Sequence, residues 1–258
     1  MALRDKVAIV TGGAQGIGRE YCLRFAREGA AVVVADLRVD QAKAVASEIA
    51  AAGGQALAVT ADVTDEASAE AMASRTVERF GRIDVLVNNA AIYYDLDLGN
   101  NTVDYLRQVL DVNLIGVLIC SRAVFPHMKR QGGGSIINIA STAAYPNLQV
   151  SFRQQENFPN YAYGISKSAV VFLTKSMART AGFDKVRVNA IAPGATMTEA
   201  TKRVLPARAE ERLRRTKAMG VSLEPEDLTG TAVFLASDDS AMMTGQTLVV
   251  DAGGVFNG

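Results

Sequence analysis

The chain is poor in the residues that most nucleophilic and metal-dependent enzymes rely on. It has one histidine, His127, two cysteines and no tryptophan in 258 residues. His127 stands in Pro126-His127-Met128-Lys129, a helix-end context with no triad partners around it. A Ser-His-Asp hydrolase and a histidine-rich metal site are excluded as readings on that ground, and no metal is expected. Cys22 and Cys120 lie inside apolar helical patterns, which points to buried free thiols rather than a disulfide. A charge excess is missing too, since 27 Lys plus Arg balance 27 Asp plus Glu. No global field then recruits nucleic acid or an acidic membrane, and neither is expected as a partner. The one arginine-rich stretch, Arg203–Lys217, also holds Glu210 and Glu211 and reads as a solvated amphipathic helix. The start, Met1-Ala2-Leu3-Arg4-Asp5-Lys6, is charged where a signal peptide needs an apolar stretch, and no run reads as membrane-spanning. The expected compartment is the cytoplasm.

What the chain does have is alternation. Short β-rich runs at Lys6–Thr11, Ala31–Asp36, Gln55–Thr60, Ile83–Asn88, Ser135–Ala140, Val186–Ile191 and Thr247–Asp251 are separated by helical patterns. Those patterns cover about 40–52, 66–80, 102–131, 161–182 and 225–237. Several strands are apolar on both faces, as parallel strands covered by helices are. The fold class is α/β: a single domain over residues 1–258 with a doubly wound, Rossmann-type parallel sheet of about seven strands. Residues 1–140 form its mainly cofactor-binding half, and 141–258 its catalytic and substrate-binding half. Two segments interrupt the rhythm, 146–160 and 195–223, and both are expected to shape a substrate pocket.

The first strand runs into Thr11-Gly12-Gly13-Ala14-Gln15-Gly16-Ile17-Gly18 and then a helical pattern. Glycines let backbone approach a pyrophosphate, and a helix start offers unpaired N–H groups and a positive dipole end. The spacing is G-x-x-x-G-x-G, and the alternative is a plain helix-entry turn. Asp36 closes the second strand, where a carboxylate can accept hydrogen bonds from the adenosine ribose hydroxyls and repel a 2′-phosphate. Following the glycine turn, it favours NAD over NADP. Arg38 partly offsets the repulsion, and the other reading of Asp36 is a turn cap.

Tyr163-Gly164-Ile165-Ser166-Lys167 puts a phenol and an ammonium four residues apart, on one helix face. A free phenol is only about one part in a thousand phenolate at pH 7, and a neighbouring cation raises that fraction. Tyr163 can then take a proton from an alcohol or give one to a carbonyl. Ser141 ends the Ile136–Ala140 strand and is either a turn cap or a hydrogen-bond donor to the reacting oxygen. Asn113 interrupts an apolar helical run, either exposed to solvent or held by a polar partner.

Taken together and in this order, these motifs resemble the classical short-chain dehydrogenase/reductase family over essentially the whole chain. Thr11–Gly18 is similar to its cofactor turn, with Gly12, Gln15, Gly16, Ile17 and Gly18 as contacts. The resemblance adds Leu37 beside Asp36, the adenine-side pair Asp62-Val63, Asn89, Ala90 and Ala91 after Asn88, and Val112. Pro193, Gly194, Thr196 and Thr198 match the segment around the nicotinamide, with Thr198 near its carboxamide. Asn113, Ser141, Tyr163 and Lys167 fall on the family's catalytic tetrad. It implies Tyr163 as acid/base and as a cofactor contact, and Lys167 as the group that lowers its pKa and binds the nicotinamide ribose. It further implies Ser141 orienting the substrate oxygen and Asn113 holding a water that relays protons from Lys167.

Two departures stand out. Ala91 replaces the family's frequent glycine, and Ser141 lies about nine residues further from Tyr163 than usual, which marks an insertion within 146–160. The reading is an NAD-preferring oxidoreductase acting on a small-molecule secondary alcohol or ketone. The alternative is an NADPH-dependent ketone reductase. A non-catalytic nicotinamide-binding protein is the reading from another class, and the intact tetrad argues against it. Use of bound NAD for epimerisation or dehydration is a further alternative, which the short chain disfavours. Wide apolar arcs on the 102–131 and 161–182 helices, with the resemblance, point to a homotetramer. Tyr93, Tyr94, Tyr145, Phe152, Phe158 and Met197 suggest a partly apolar pocket, and Arg153 and Gln154 a polar contact.

Overall fold

The structure, a computed structural model, describes residues 1–93, 102–145, 161–204 and 207–256. Seven parallel strands form one sheet in the order β3-β2-β1-β4-β5-β6-β7. They are β1 Val7–Thr11, β2 Ala31–Asp36, β3 Gln55–Thr60, β4 Val85–Asn88, β5 Gly134–Ile139, β6 Val186–Pro193 and β7 Thr247–Val250. Every residue of β1 and β4 is buried, which is why these strands read as unbroken apolar runs. The two edge strands are more exposed.

Helices α1 Gly16–Arg27, α2 Val39–Ala51 and α9 Thr229–Ala236 cover one face. Tyr21, Phe25, Val45, Ile49 and Leu235 meet Val10, Val32 and Val34 there. Helices α3 Glu66–Phe80, α5 Gly116–Arg130 and α6 Ala162–Ala181 cover the other, where Met72, Val124 and Met128 pack on Ile9, Val33 and Leu86. Cys22 and Cys120 are buried and unpaired, and burial pushes the Cys120 thiol up to about 12. From β1 the chain builds outward to β3, then returns across the sheet to β4. The strand order therefore reverses between β1 and β4, and their carboxyl ends open a crevice at that point.

The long apolar helix expected over 102–131 is not a uniform α-helix. It consists of α4 Val103–Leu110, a π-turn at Asp111–Ile115 and α5, and Pro126 lies inside α5. Taken as one stretch, Val103–Arg130 is long and apolar enough to cross a bilayer by length and composition, which corrects the reading that no run is. Here it packs against α3, α6 and β4. Strand β6 runs two residues beyond its expected end because β7 pairs with it as far as Pro193 opposite Val250, and Pro193, which has no N–H to donate, takes that last rung. The 225–237 helix starts instead with a 3-10 turn at Pro225–Leu228, where the Asp227 carboxylate accepts from the Glu224 N–H at 2.9 Å. The 195–223 segment carries α7 Glu199–Val204 and α8 Ala207–Arg215. The 146–160 segment lies outside the described residues, as do Tyr94, Phe152, Arg153, Gln154 and Phe158.

Candidate active site

A cleft of about 590 Å³ opens at the carboxyl ends of β1 and β4. Its floor is the glycine turn. Gly12 and Gly16 adopt positive φ, +63° and +52°, which side-chain-bearing residues adopt reluctantly. At Gly18 the requirement is proximity: a Cβ there would lie 2.2 Å from the Gly12 carbonyl oxygen and 2.5 Å from Asn89 Nδ2. The turn is stapled to β4. Asn89 Nδ2 donates to the Thr11 and Gly12 carbonyls at 3.0 and 3.1 Å, and the Thr11 hydroxyl accepts from the Asn89 and Ala90 N–H groups. Behind it, Asn88 Nδ2 donates to Ser121 and Asn138, and Asn138 Nδ2 donates to Thr174. This network ties β4 and β5 to the two helices above them, since Ser121 lies on α5 and Thr174 on α6.

Helix α1 begins at Gln15 without a side-chain cap and has no acidic residue in its first turn. Its leading N–H groups and dipole end therefore face the cleft as an anion site. A backbone cradle that a single Cβ would fill, ending on an uncapped helix start, fits a dinucleotide pyrophosphate.

Asp36 is buried at the end of β2. One of its oxygens accepts from the Ala14 N–H at 3.1 Å, and the other accepts from the Arg38 N–H at 3.0 Å and Arg38 Nε at 3.2 Å. Arg38 also donates to Gln15 Oε1 at 2.7 Å. The turn-cap reading of Asp36 therefore holds, and the same carboxylate carries the Arg38 cation at the edge of the cleft. Leu37 is exposed beside it. Asp62 accepts from the Thr64 N–H and hydroxyl, and Val63 is buried against Gly116, where a Cβ would lie 2.8 Å from Val63 Cγ2.

At the other end of the cleft, Lys167 is almost wholly buried. Its ammonium donates to the Ile139 carbonyl at 2.7 Å and lies 5.6 Å from the centre of the Tyr163 ring. Burial pushes this ammonium down to about 8. The spacing that puts both side chains on one face of α6 is therefore realised, at the carboxyl end of β5. Ser141 lies two residues past the end of the same strand, and its oxygen accepts from the Ala143 N–H at 3.1 Å, capping a 3-10 turn at Thr142–Ala144. A hydroxyl that accepts in this way keeps its proton to donate. Ser168 on α6 donates to the Ala144 carbonyl at 2.8 Å, and Gly164 lets α6 approach the Ala143 carbonyl, so this turn is braced on the helix carrying Tyr163.

Asn113 sits in the π-turn and is fully buried, so the solvent-exposed reading of it is wrong. Its Oδ1 accepts from the Ile92 N–H at 2.8 Å, while Nδ2 donates to the Ile92 carbonyl at 2.9 Å and to Ser166 Oγ at 3.3 Å. Ser166 in turn donates to the Tyr163 carbonyl at 2.7 Å. The extra residue of a π-turn rotates the amide off the helix surface, and such turns recur at functional sites. Val112 beside it is half-buried against the α3–α5 core. Gly194 faces Asp251 closely, and Thr196 pairs with Leu223 across the 195–223 segment. Thr198 caps α7, its hydroxyl oxygen accepting from the Thr201 N–H at 3.0 Å.

The cleft wall thus gathers Gly12, Gln15, Gly16, Ile17, Gly18, Asn89, Ala90, Ala91, Tyr163, Lys167 and Thr198. Asn113, Ser141, Val112, Pro193, Gly194 and Thr196 stand behind or beside that wall rather than on it, as do Asp36, Leu37, Asp62 and Val63. Two participants were not singled out from the sequence. Ser166 was legible as the residue three after Tyr163, on the same helix face. The backbone of Ile92 carried no signal, because its partner lies 21 residues away.

A family model described as enoyl-(acyl carrier protein) reductase matches residues 12–254. An uncharacterised oxidoreductase of Mycobacterium tuberculosis is 48% identical over 255 residues, 98% of each chain. The 7α-hydroxysteroid dehydrogenase of Escherichia coli is 35% identical, covering 99% of this chain and 96% of its own. A solved 7α-hydroxysteroid dehydrogenase in complex with NADH and 7-oxo glycochenodeoxycholic acid superposes with a TM-score of 0.89 at 35% identity, over 99% of this chain and 96% of that one. A probable galactose dehydrogenase of Rhizobium meliloti is 39% identical over 98% of this chain and 96% of its own.

Proposed function

The chain belongs to the classical short-chain dehydrogenase/reductase family, and on that premise we propose a cytoplasmic, NAD-preferring oxidoreductase that interconverts a secondary alcohol and a ketone. The observation that carries this reading is the buried Lys167 ammonium beside the Tyr163 ring at the inner end of the cleft. When bound, the nicotinamide accepts a hydride from the carbinol carbon in oxidation and returns it in reduction.

The chain's residues handle the proton and the geometry. In oxidation the alcohol O–H bond breaks and its proton passes to the Tyr163 oxygen as the C=O bond forms; in reduction Tyr163 gives that proton to the new alkoxide. Lys167, held on the Ile139 carbonyl, favours the phenolate electrostatically, and in this reading it also meets the nicotinamide ribose. Ser141 donates to the substrate oxygen. Asn113 acts as a positioning residue through Ile92 and Ser166, and the water relay implied by the family resemblance runs between Lys167 and solvent. Thr198 and Thr196, with Pro193 and Gly194, take the nicotinamide end. Asp62, Val63, Leu37 and Val112 take the adenine side, and Ala91 replaces a glycine along the cofactor's path. The division at residue 140 into cofactor-binding and substrate-binding parts belongs to the same proposal.

Asp36 sets the cofactor preference. Its carboxylate faces the adenosine ribose and repels a 2′-phosphate, while Arg38 remains tied to it by an ion pair. Fluorescence titration is expected to give NADH at least about tenfold tighter binding than NADPH. In Asp36→Ala, Arg38 loses its carboxylate partner and the gap narrows or inverts. Tighter NADPH binding by the wild type would overturn the NAD preference and leave the ketone-reductase reading.

The assembly in this reading is a homotetramer. Phe172 and Phe183 are 73% and 90% exposed, and edge strand β7 is only half-buried, so apolar surface remains for helix and sheet edges of other copies. Light scattering at micromolar protein is expected to return four times the 27.3 kDa chain mass; a monomer mass would refute it.

A further inference from the structure

Tyr93 joins the two walls of the cleft. It follows Ile92, whose N–H and carbonyl are both held by the buried Asn113 amide, so the backbone that presents the Tyr93 side chain is fixed from inside the fold. Its ring meets the Tyr163 ring edge-on, with centroids 6.2 Å apart and planes at 62°. Its hydroxyl lies 3.4 Å from Thr198 Oγ1, the capping hydroxyl of α7. Tyr93, Tyr163, Met197 and Thr198 all line the same cavity.

We propose that Tyr93 is a positioning and specificity residue for the reaction: its ring sets the lateral position of the Tyr163 phenol and bounds the substrate's side, and its hydroxyl latches the β4 wall to α7. The inference rests on the alcohol–ketone reading for its kinetic part. The geometry separates the two functions. An edge-on aromatic contact restrains the partner ring because the positive ring edge faces the negative π-face, and that restraint needs the ring but not the hydroxyl. The latch needs the hydroxyl alone. A pair of neutral hydroxyls at 3.4 Å is a weak bond, so its loss costs a small factor, whereas removal of the ring opens a side-chain-sized space next to the reacting oxygen.

The test compares Tyr93→Phe with Tyr93→Ala in the full-length chain. Fluorescence gives the NADH Kd, and NADH formation gives kcat and KM for 2-propanol, cyclohexanol and 1-phenylethanol. Tyr93→Phe is expected to weaken NADH binding about two- to fivefold and to keep kcat within about twofold. Tyr93→Ala is expected to lower kcat for 2-propanol about tenfold or more and to shift kcat/KM toward 1-phenylethanol by a similar factor. Rescue of kcat and of the preference by Phe is a signature that general destabilisation does not produce. An unchanged alcohol preference in a folded Tyr93→Ala variant would overturn the ring's role, and an unchanged NADH Kd in Tyr93→Phe would overturn the latch. The NADH titration is independent of turnover. If the wild type binds NADH yet oxidises none of the alcohols and reduces none of the matching ketones, the alcohol–ketone reading fails, and the kinetic role of the ring fails with it, while the latch is still judged by its own titration.

Discussion

Tyr163→Phe is expected to lower kcat by about 10²- to 10⁴-fold, the range a positioned acid/base supplies, while leaving the NADH Kd within about twofold. The substitution removes one oxygen and keeps the ring that meets Tyr93 and Lys167, so packing in this corner of the cleft changes little. Stopped-flow reduction of a ketone by NADH separates the two quantities, since binding is read before turnover. A variant with near-normal kcat would remove Tyr163 from proton transfer. A variant that lost NADH binding to the same extent as turnover would make the phenol a cofactor contact in place of an acid/base.

Much of this corner of the cleft is written locally in the chain. All seven strands were legible because each is short, β-rich and bounded by turn residues, and parallel strands under two helical layers tolerate apolar residues on both faces. The glycine turn and the Tyr163–Lys167 pair are legible for a related reason: each depends on chemistry within a few residues of itself, and Asp36 is legible by its place at a strand end after that turn. Asn113 marks where that reasoning stops. Its interruption of an apolar helix was visible, but its partners lie at Ile92 and Ser166, and the π-turn that aims it inward leaves no periodic signature.

Asp36 shows the same limit in milder form. Its place at the strand end is readable, whereas the hold of Ala14 and Arg38 on it, with Arg38 also donating to Gln15, requires two loops to meet in space. The pairing of Thr196 with Leu223, which folds the 195–223 segment back on itself, is non-local and equally silent in the sequence. In the sequence Tyr93 is one aromatic among several near the site, and only its contacts set it apart from core aromatics.

Lys167 is the second place where a large effect is expected, and here function opposes stability. Its ammonium stands at about 8 in the folded chain against an ordinary 10.5 because burial removes its water. Between those values the unfolded chain holds the extra proton, so this group makes stability rise with pH across that window. Below about 8 the penalty is fully present, on the order of 3 kcal/mol. Lys167→Met removes the charge and keeps the length, at the cost of leaving the Ile139 carbonyl without that donor, about 1 kcal/mol. The variant is therefore expected to be more stable than the wild type by about 1–2 kcal/mol at pH 7, and to lose turnover by at least about 10²-fold.

Urea denaturation at pH 7 and pH 10 checks both the sign and the window. The buried Cys22 thiol, pushed up by burial, favours unfolding as pH rises, but it does so equally in the two proteins and cancels in their difference. That difference should shrink at pH 10, where the wild-type amine is neutral when folded. A Lys167→Met variant less stable than the wild type at pH 7, or a difference that does not move with pH, would mean that the Ile139 carbonyl and the Tyr163 ring fully compensate the buried charge. The ammonium would then be as much a structural tie between β5 and α6 as a catalytic one.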